Sequence, residues 1–299
     1  MGRETLLTLL LLLFGGLAAQ PLSLLPRRPP PDEAPRIAER RAWIALWLPV
    51  VPTMLAAAWL CGWALREPDP VHARFDHGVV IAASLPFAWI ALRAALRAAW
   101  VLLLPDPADL PICTVGLLRP RILFSPFLAR ALDEEQIRAA WAHEQAHARH
   151  FDPLRIWLAQ IATDLQWPWP EAPRRLQRWL RILECARDDE ARESGASGVD
   201  LAAAIVATAR RLPSTPRRAR PGRGAQALVA LLDDPALLQL RVARLLAPAP
   251  QAGTPQVARH LGDPALLGIA AVVLAVSLAL GVVCGHALVH PFLAWTRSV

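Results

Sequence analysis

Apolar residues gather into long uncharged runs along this chain instead of spreading evenly. Leu6 to Ala19 carries no charge, and the run extends to Leu25. Trp43 to Leu65 is a second uncharged run, and Ala265 to Leu288 is another. Between these, Gly78 to Leu92 continues to Leu104 with only Arg93 and Arg97 interrupting. A helix needs about 20 apolar residues to cross a hydrocarbon core of roughly 30 Å. The pattern therefore predicts transmembrane helices at about 6–25, 43–65, 78–104 and 265–288, with Arg93 and Arg97 snorkelling to the interface. For the first run a cleaved signal peptide is the alternative, since Gly16-Leu17-Ala18-Ala19 offers small residues for a cleavage site. Arginines are dense between the first two runs and again from Pro105 to Asp263. The expectation is a multi-pass protein of the cell inner (plasma) membrane with both Arg-rich stretches in the cytoplasm. Trp43, Trp47, Trp63 and Trp100 fall near run ends, as an interfacial aromatic belt requires.

The stretch 105–263 is the size of one domain and has a different texture. Leu110 to Val115 and Arg121 to Phe124 read as short strands separated by Gly116 and Pro120, a small β-hairpin. Helical pattern follows: about Glu134 to Phe151, Leu154 to Gln166, Ala172 to Gly195 and Asp200 to Leu212. Pro213 to Gly224, with four arginines among Pro and Gly, reads as a basic loop that could meet anionic headgroups of a lipid bilayer. No aromatic residues interleave with these arginines, so direct nucleic-acid binding is not expected. The predicted fold is thus a mainly α integral membrane protein, its transmembrane helices flanking an α+β domain with a small β-hairpin.

Composition narrows the chemistry. The chain is 55% hydrophobic, with 32 basic side chains against 25 acidic, a net +7. That excludes a disordered chain, and four cysteines exclude a disulfide scaffold. There is no Lys, Tyr or Asn anywhere, so no mechanism here uses a tyrosine hydroxyl or a lysine amine.

Against that background His143-Glu144-Gln145-Ala146-His147 stands out. Two His at i and i+4 lie about 40° apart on one helix face, so both imidazoles can reach one metal. The intervening Glu144 is close enough to act on water as a general base. A third His six residues on would mark a metzincin, but position 153 is Pro. The hydrophobic setting of site-2-type intramembrane proteases fits poorly with these Arg- and Glu-containing surroundings. A Glu from a later helix remains: Glu184, with Asp188 four residues beyond it, gives one carboxylate for the metal and one to support a ligand imidazole from behind. Cys185 points about 100° away from Glu184 and reads as packing. His150, seven residues after His143, and Arg187 are candidate donors to a developing oxyanion.

These residues carry a resemblance. Leu110-Pro111-Ile112, Pro120, Pro126 and Glu135 lead into His143 to His147. Arg149, Asp152-Pro153, Trp167, Pro170, the Glu184-x-x-x-Asp188 pair and Arg241 to Leu246 follow. Together they resemble the BlaR/MecR-type membrane zinc metallopeptidases, over about Leu110 to Leu246. HtpX and CAAX-protease relatives share the Glu-x-x-x-Asp half. The resemblance implies a zincin-like metallopeptidase domain with one Zn²⁺ held by His143, His147 and Glu184 and with Glu144 as catalytic base. It also implies a protein substrate, such as a transcriptional repressor cut in a regulatory step. Family members that sense β-lactams carry a penicillin-binding domain after the last span; here only about ten residues follow, so that sensor is expected to be absent. Two alternatives stay open: a membrane quality-control protease of the HtpX/CAAX type, and a catalytically silent signalling partner.

Overall fold

The computed structural model describes residues 20–21, 34–55, 58–59, 74–103, 112–124, 132–210, 234–248, 272 and 274–283. These form helices α1 (Pro35–Trp47) and α2 (Arg74–Leu103), strands β1 (Ile112–Val115) and β2 (Arg121–Phe124), and then five more helices. Those are α3 (Glu134–Arg149), α4 (Asp152–Leu165), α5 (Glu171–Glu193), α6 (Gly198–Ala209) and α7 (Pro235–Leu246). The described residues are mostly helical, with a single two-stranded antiparallel sheet.

The hairpin pairs Ile112 with Phe124 and Val115 with Arg121. Gly116 makes its turn at φ 91, where a Cβ would stand 2.5 Å from the Arg119 carbonyl oxygen, so only glycine fits. Helix α3 starts where Asp133 accepts a hydrogen bond from the Gln136 N–H at 2.8 Å, with Glu134 and Glu135 in its first turn. As the sequence predicts, α3 ends just before the Asp152-Pro153 pair, and α4 begins there, at Asp152 and not Leu154. Proline is compatible with the first turn, where its missing N–H is not needed. Phe151, in the left-handed region at φ 53, makes the corner between α3 and α4. Ser197 caps α6 by accepting from Asp200 N.

The expected integral membrane architecture is overturned. Among the described residues no helix is long and apolar enough to cross a membrane. The run beginning at Trp43 opens inside α1, a helix of 13 residues whose apolar side lies in the protein core. There Leu46 is fully buried with Ile156, Leu176, Trp179, Leu180 and Leu183, and the Trp43 and Trp179 rings stand 5.0 Å apart. Trp43 and Trp47 are thus partly buried and packed against this core, not an interfacial belt. In α2, Pro86 interrupts the apolar sequence, and Arg93 and Arg97 do not snorkel. Both donate to Asp164 of α4, at 3.4 and 2.7 Å, and Trp157 Nε1 donates to the Ala98 carbonyl at 3.2 Å. The charges that interrupted the run are its attachment points to α4. Residues 6–19, Trp63 and the basic loop 213–224 lie outside the described residues, as does most of 265–288. Of that last run, residues 274–283 are helical, and Ser277 donates to the Leu55 carbonyl at 2.9 Å. The multi-pass inner-membrane placement and the membrane label go with the helices they required.

Helices α3, α5, α6 and α7 surround a second apolar cluster of Ala139, Ala191, Leu201, Ala202, Ile205 and Leu245. At Gly198 a Cβ would fall 2.3 Å from the Leu245 carbonyl oxygen, so glycine is what lets α6 start against the end of α7. Small side chains at these contacts bring α3 and α5 close, and the polar face of α3 meets that of α5.

Candidate metal centre

His143, Glu144 and His147 lie on the buried face of α3, and Glu184 and Asp188 on the facing side of α5. His143 Nε2 and His147 Nε2 stand 3.1 Å apart. Glu184 places Oε2 3.5 Å from the first and Oε1 3.6 Å from the second. One donor atom from each of His143, His147 and Glu184 thus lies within 4.8 Å of the others.

The imidazoles are held from behind. His147 Nδ1 is 2.8 Å from Asp152 Oδ2, which fixes the Nδ1–H tautomer and turns the Nε2 lone pair into the site. Asp152 is fully buried and also accepts from Arg187 Nε (2.6 Å), Arg187 Nη2 (2.9 Å) and Arg155 Nη1 (3.1 Å). Burial alone would raise its proton affinity; the Arg187 charge and hydrogen bonds outweigh that and hold it well below the usual carboxylate range. His143 Nδ1 is 3.0 Å from Asp188 Oδ1, a close charge contact whose angle falls short of a hydrogen bond. Asp188 receives a bidentate pair from Arg241 of α7, at 2.8 and 2.7 Å, and Arg241 Nη1 reaches Glu184 Oε2 at 2.9 Å. Burial would raise the Glu184 carboxyl, yet the Arg241 charge and the two imidazoles bring it down to about 2. For His143, burial opposes the charged form, but Asp188 and Glu184 win and raise it to about 10.

Glu184 Oε1 is buried without a hydrogen-bond partner, beside two imidazole Nε2 atoms that stand 3.1 Å apart. A buried acceptor left unpaired costs about 1–3 kcal/mol. An ion bound by the three groups in place of the His143 proton removes that penalty. The buried His143–His147–Glu184 group can therefore hold a metal ion. Its two nitrogens and one carboxylate oxygen suit a borderline divalent transition ion.

Glu144 is placed differently from the ligands. The Thr114 hydroxyl of β1 lies 2.7 Å from Glu144 Oε2 and 2.9 Å from its backbone carbonyl, so the strand grips the carboxylate from outside the donor group. A cavity of about 60 Å³ opens beside it. Ile112, Ala140, Leu201, Ala204 and Ile205 line its apolar side, and His143, Glu144, Glu184 and Arg241 its polar side.

The two suggested oxyanion donors do not line that cavity. His150 is paired with Glu190 at 2.8 Å at the end of α3, and the Arg187 guanidinium is taken up by Asp152 behind His147. Cys185 stays out of the donor group, and burial pushes its thiol up to about 11. The sequence reading gave no role to Asp152, Arg241, Thr114, Arg155 or Glu39. Asp152 and Arg241 were visible only as members of the resemblance, and a helix-starting Asp-Pro five residues after the second His was the available signal. Compared with family models, with curated proteins and with solved structures, the chain matches none of them.

Proposed function

We propose that the chain is a zinc-dependent endopeptidase, with His143, His147 and Glu184 as the ligands and Glu144 as the general base. The observation that carries this reading is the separation of roles around one point. Three donors converge while a fourth group, the Glu144 carboxylate, is kept off them by Thr114 and faces a mostly apolar cavity. A purely structural metal site would be closed by a fourth protein ligand and would have no use for a carboxylate so held. Bound by these residues, zinc would supply Lewis acidity toward the carbonyl and the attacking water.

The residues of the chain do the rest. Glu144 takes a proton from the attacking water and returns it to the leaving amine. Thr114 keeps the carboxylate on the cavity side during both transfers. Strand β1 is paired by β2 along one edge only among the described residues, so an extended peptide can add along the other, next to Glu144. The cavity walls accept one aliphatic side chain of that peptide. On this reading the substrate is a protein, which the strand edge and the cavity support. Its identity as a transcriptional repressor rests on the BlaR/MecR resemblance alone.

Comparing cellular protein fragments between wild type and Glu144→Gln tests the proposal. The expected result is loss of a small set of cleavage products in the variant, with zinc still bound. An unchanged set would sink the peptidase reading.

A further inference from the structure

The polar groups behind His147 do not end at Asp152. Arg155, which donates to Asp152, also donates from Nη2 to Glu39 Oε1 at 2.5 Å. The same oxygen accepts from Trp179 Nε1 at 2.8 Å. Glu39 belongs to α1 and is 7% exposed, at a sequence distance of more than a hundred residues from the site it touches. Asp152, Glu39, Arg155 and Arg187 are joined by buried ion pairs, and Arg187 Nη1 also lies 3.6 Å from Glu190 Oε2. We propose that Glu39 is a positioning residue for the metal centre, acting on His147 through Arg155 and Asp152, so that helix α1 is a working part of the site. This inference rests on the metal-holding group and not on peptidase activity.

The physical reason is charge balance together with orientation. Asp152 orients the His147 imidazole only while its own oxygens are fixed, and Arg155 can serve it only while held in place. Removing the Glu39 charge takes one negative charge from behind a ligand that must face a divalent cation. It also removes an ion pair that fixes Arg155 where it meets Asp152. Outer partners of metal-bound His typically change affinity by about 10- to 100-fold, and a residue one step further out acts less strongly.

The test is zinc affinity of the full chain, read by competition with a chromogenic chelator, for wild type, Glu39→Gln, Asp152→Asn and the double variant. Glu39→Gln should bind zinc about 3- to 10-fold more weakly and Asp152→Asn about 10- to 100-fold more weakly. The double variant should be no worse than Asp152→Asn, because the two act in series. Equal affinity for Glu39→Gln, or losses that simply multiply, would overturn the proposal. A measurement on wild type covers the case where Glu39→Gln does not fold. By reciprocity, zinc bound at His147 must tighten α1, so saturating zinc should slow amide exchange across 35–47 as well as in α3. Slowing in α3 with none in α1 refutes the coupling. A chain that binds no zinc removes the metal reading and this inference together. One that shows these couplings yet cuts nothing removes only the peptidase reading.

Discussion

His143 and His147 face the same point, yet they are held in two different ways. Behind His147, Asp152 makes a well-aligned bond at 2.8 Å and is itself fixed by two arginines, neither of which touches a ligand carboxylate. Behind His143, Asp188 approaches at 3.0 Å with poor alignment, and the one arginine behind it also grips the ligand Glu184. The first arrangement orients. The second balances charge: Arg241 offsets two buried carboxylates that would otherwise repel each other. The difference teaches that a symmetrical-looking ligand pair can depend on its surroundings for separate things, geometry on one side and electrostatics on the other.

The largest effect should come from breaking the electrostatic side. Arg241→Leu leaves Glu184 and Asp188 buried without the guanidinium that pairs with both, and uncovering a buried charge costs roughly 3–5 kcal/mol. Arg187→Leu removes one of three donors from Asp152, which keeps Arg155 and His147, so its cost should be nearer about 1–3 kcal/mol. Urea unfolding of the metal-free chain reads both. Equal losses would mean that the two sides are not different in kind.

Zinc affinity sharpens the same contrast in the opposite direction. Asp152→Asn should weaken binding toward the upper end of about 10- to 100-fold, and Asp188→Asn toward the lower end, because only Asp152 holds its imidazole with good geometry. Chelator competition decides it. A larger loss for Asp188→Asn would reassign the orienting role.

The pH response belongs to the His143 side. Its folded value near 10 lies above the ordinary 6.5, so in the metal-free chain its contribution to stability is complete below about 6.5 and is lost as pH rises through about 10. A metal must displace that same proton. Zinc affinity should therefore climb with pH, by up to about tenfold per unit below 10 if no other group intervenes, with a proton released on binding. Calorimetry in buffers of different ionisation enthalpy counts that proton. A pH-independent affinity between 7 and 9 would show that His143 is already neutral there.

Local signals read well in this sequence and long-range ones did not. The His143–His147 spacing and the Glu184–Asp188 spacing are properties of single helices, and the structure brings His143, His147 and Glu184 together as those spacings suggest. The strand Arg121–Phe124 and the start of α3 at Glu134 were legible from turn residues and a capping Asp. The role of Asp152 was not, because it takes the left-handed corner at Phe151, between the two expected helices, to turn Asp152 back under His147. Nor was Glu39, whose partner Arg155 lies 116 residues away and leaves no periodic trace. The apolar runs misled for a related reason. An uncharged stretch states that a surface must be covered, not by what: at Trp43 and Leu46 the cover is Trp179 and its neighbours, and the arginines of α2 are matched by Asp164.

The smallest expected effect concerns a residue that spacing alone put near the chemistry. His150 follows His143 by seven residues, so it shares a helix face with a ligand, yet it sits at the end of α3 with its Nε2 on Glu190 and its side chain 34% exposed. A partly exposed pair of this kind is worth about 0–1 kcal/mol. The link from His150 to the orienting side runs through Glu190, which stands 3.6 Å from Arg187, so little of its loss should reach His147. His150→Ala should leave zinc affinity within about twofold of wild type, a change below half a kcal/mol, and leave any peptide cleavage rate unaltered. A tenfold loss of cleavage with zinc affinity preserved would return His150 to the reacting centre. It would also mean that α3 bends there when substrate binds, carrying the imidazole away from Glu190 and into the cavity.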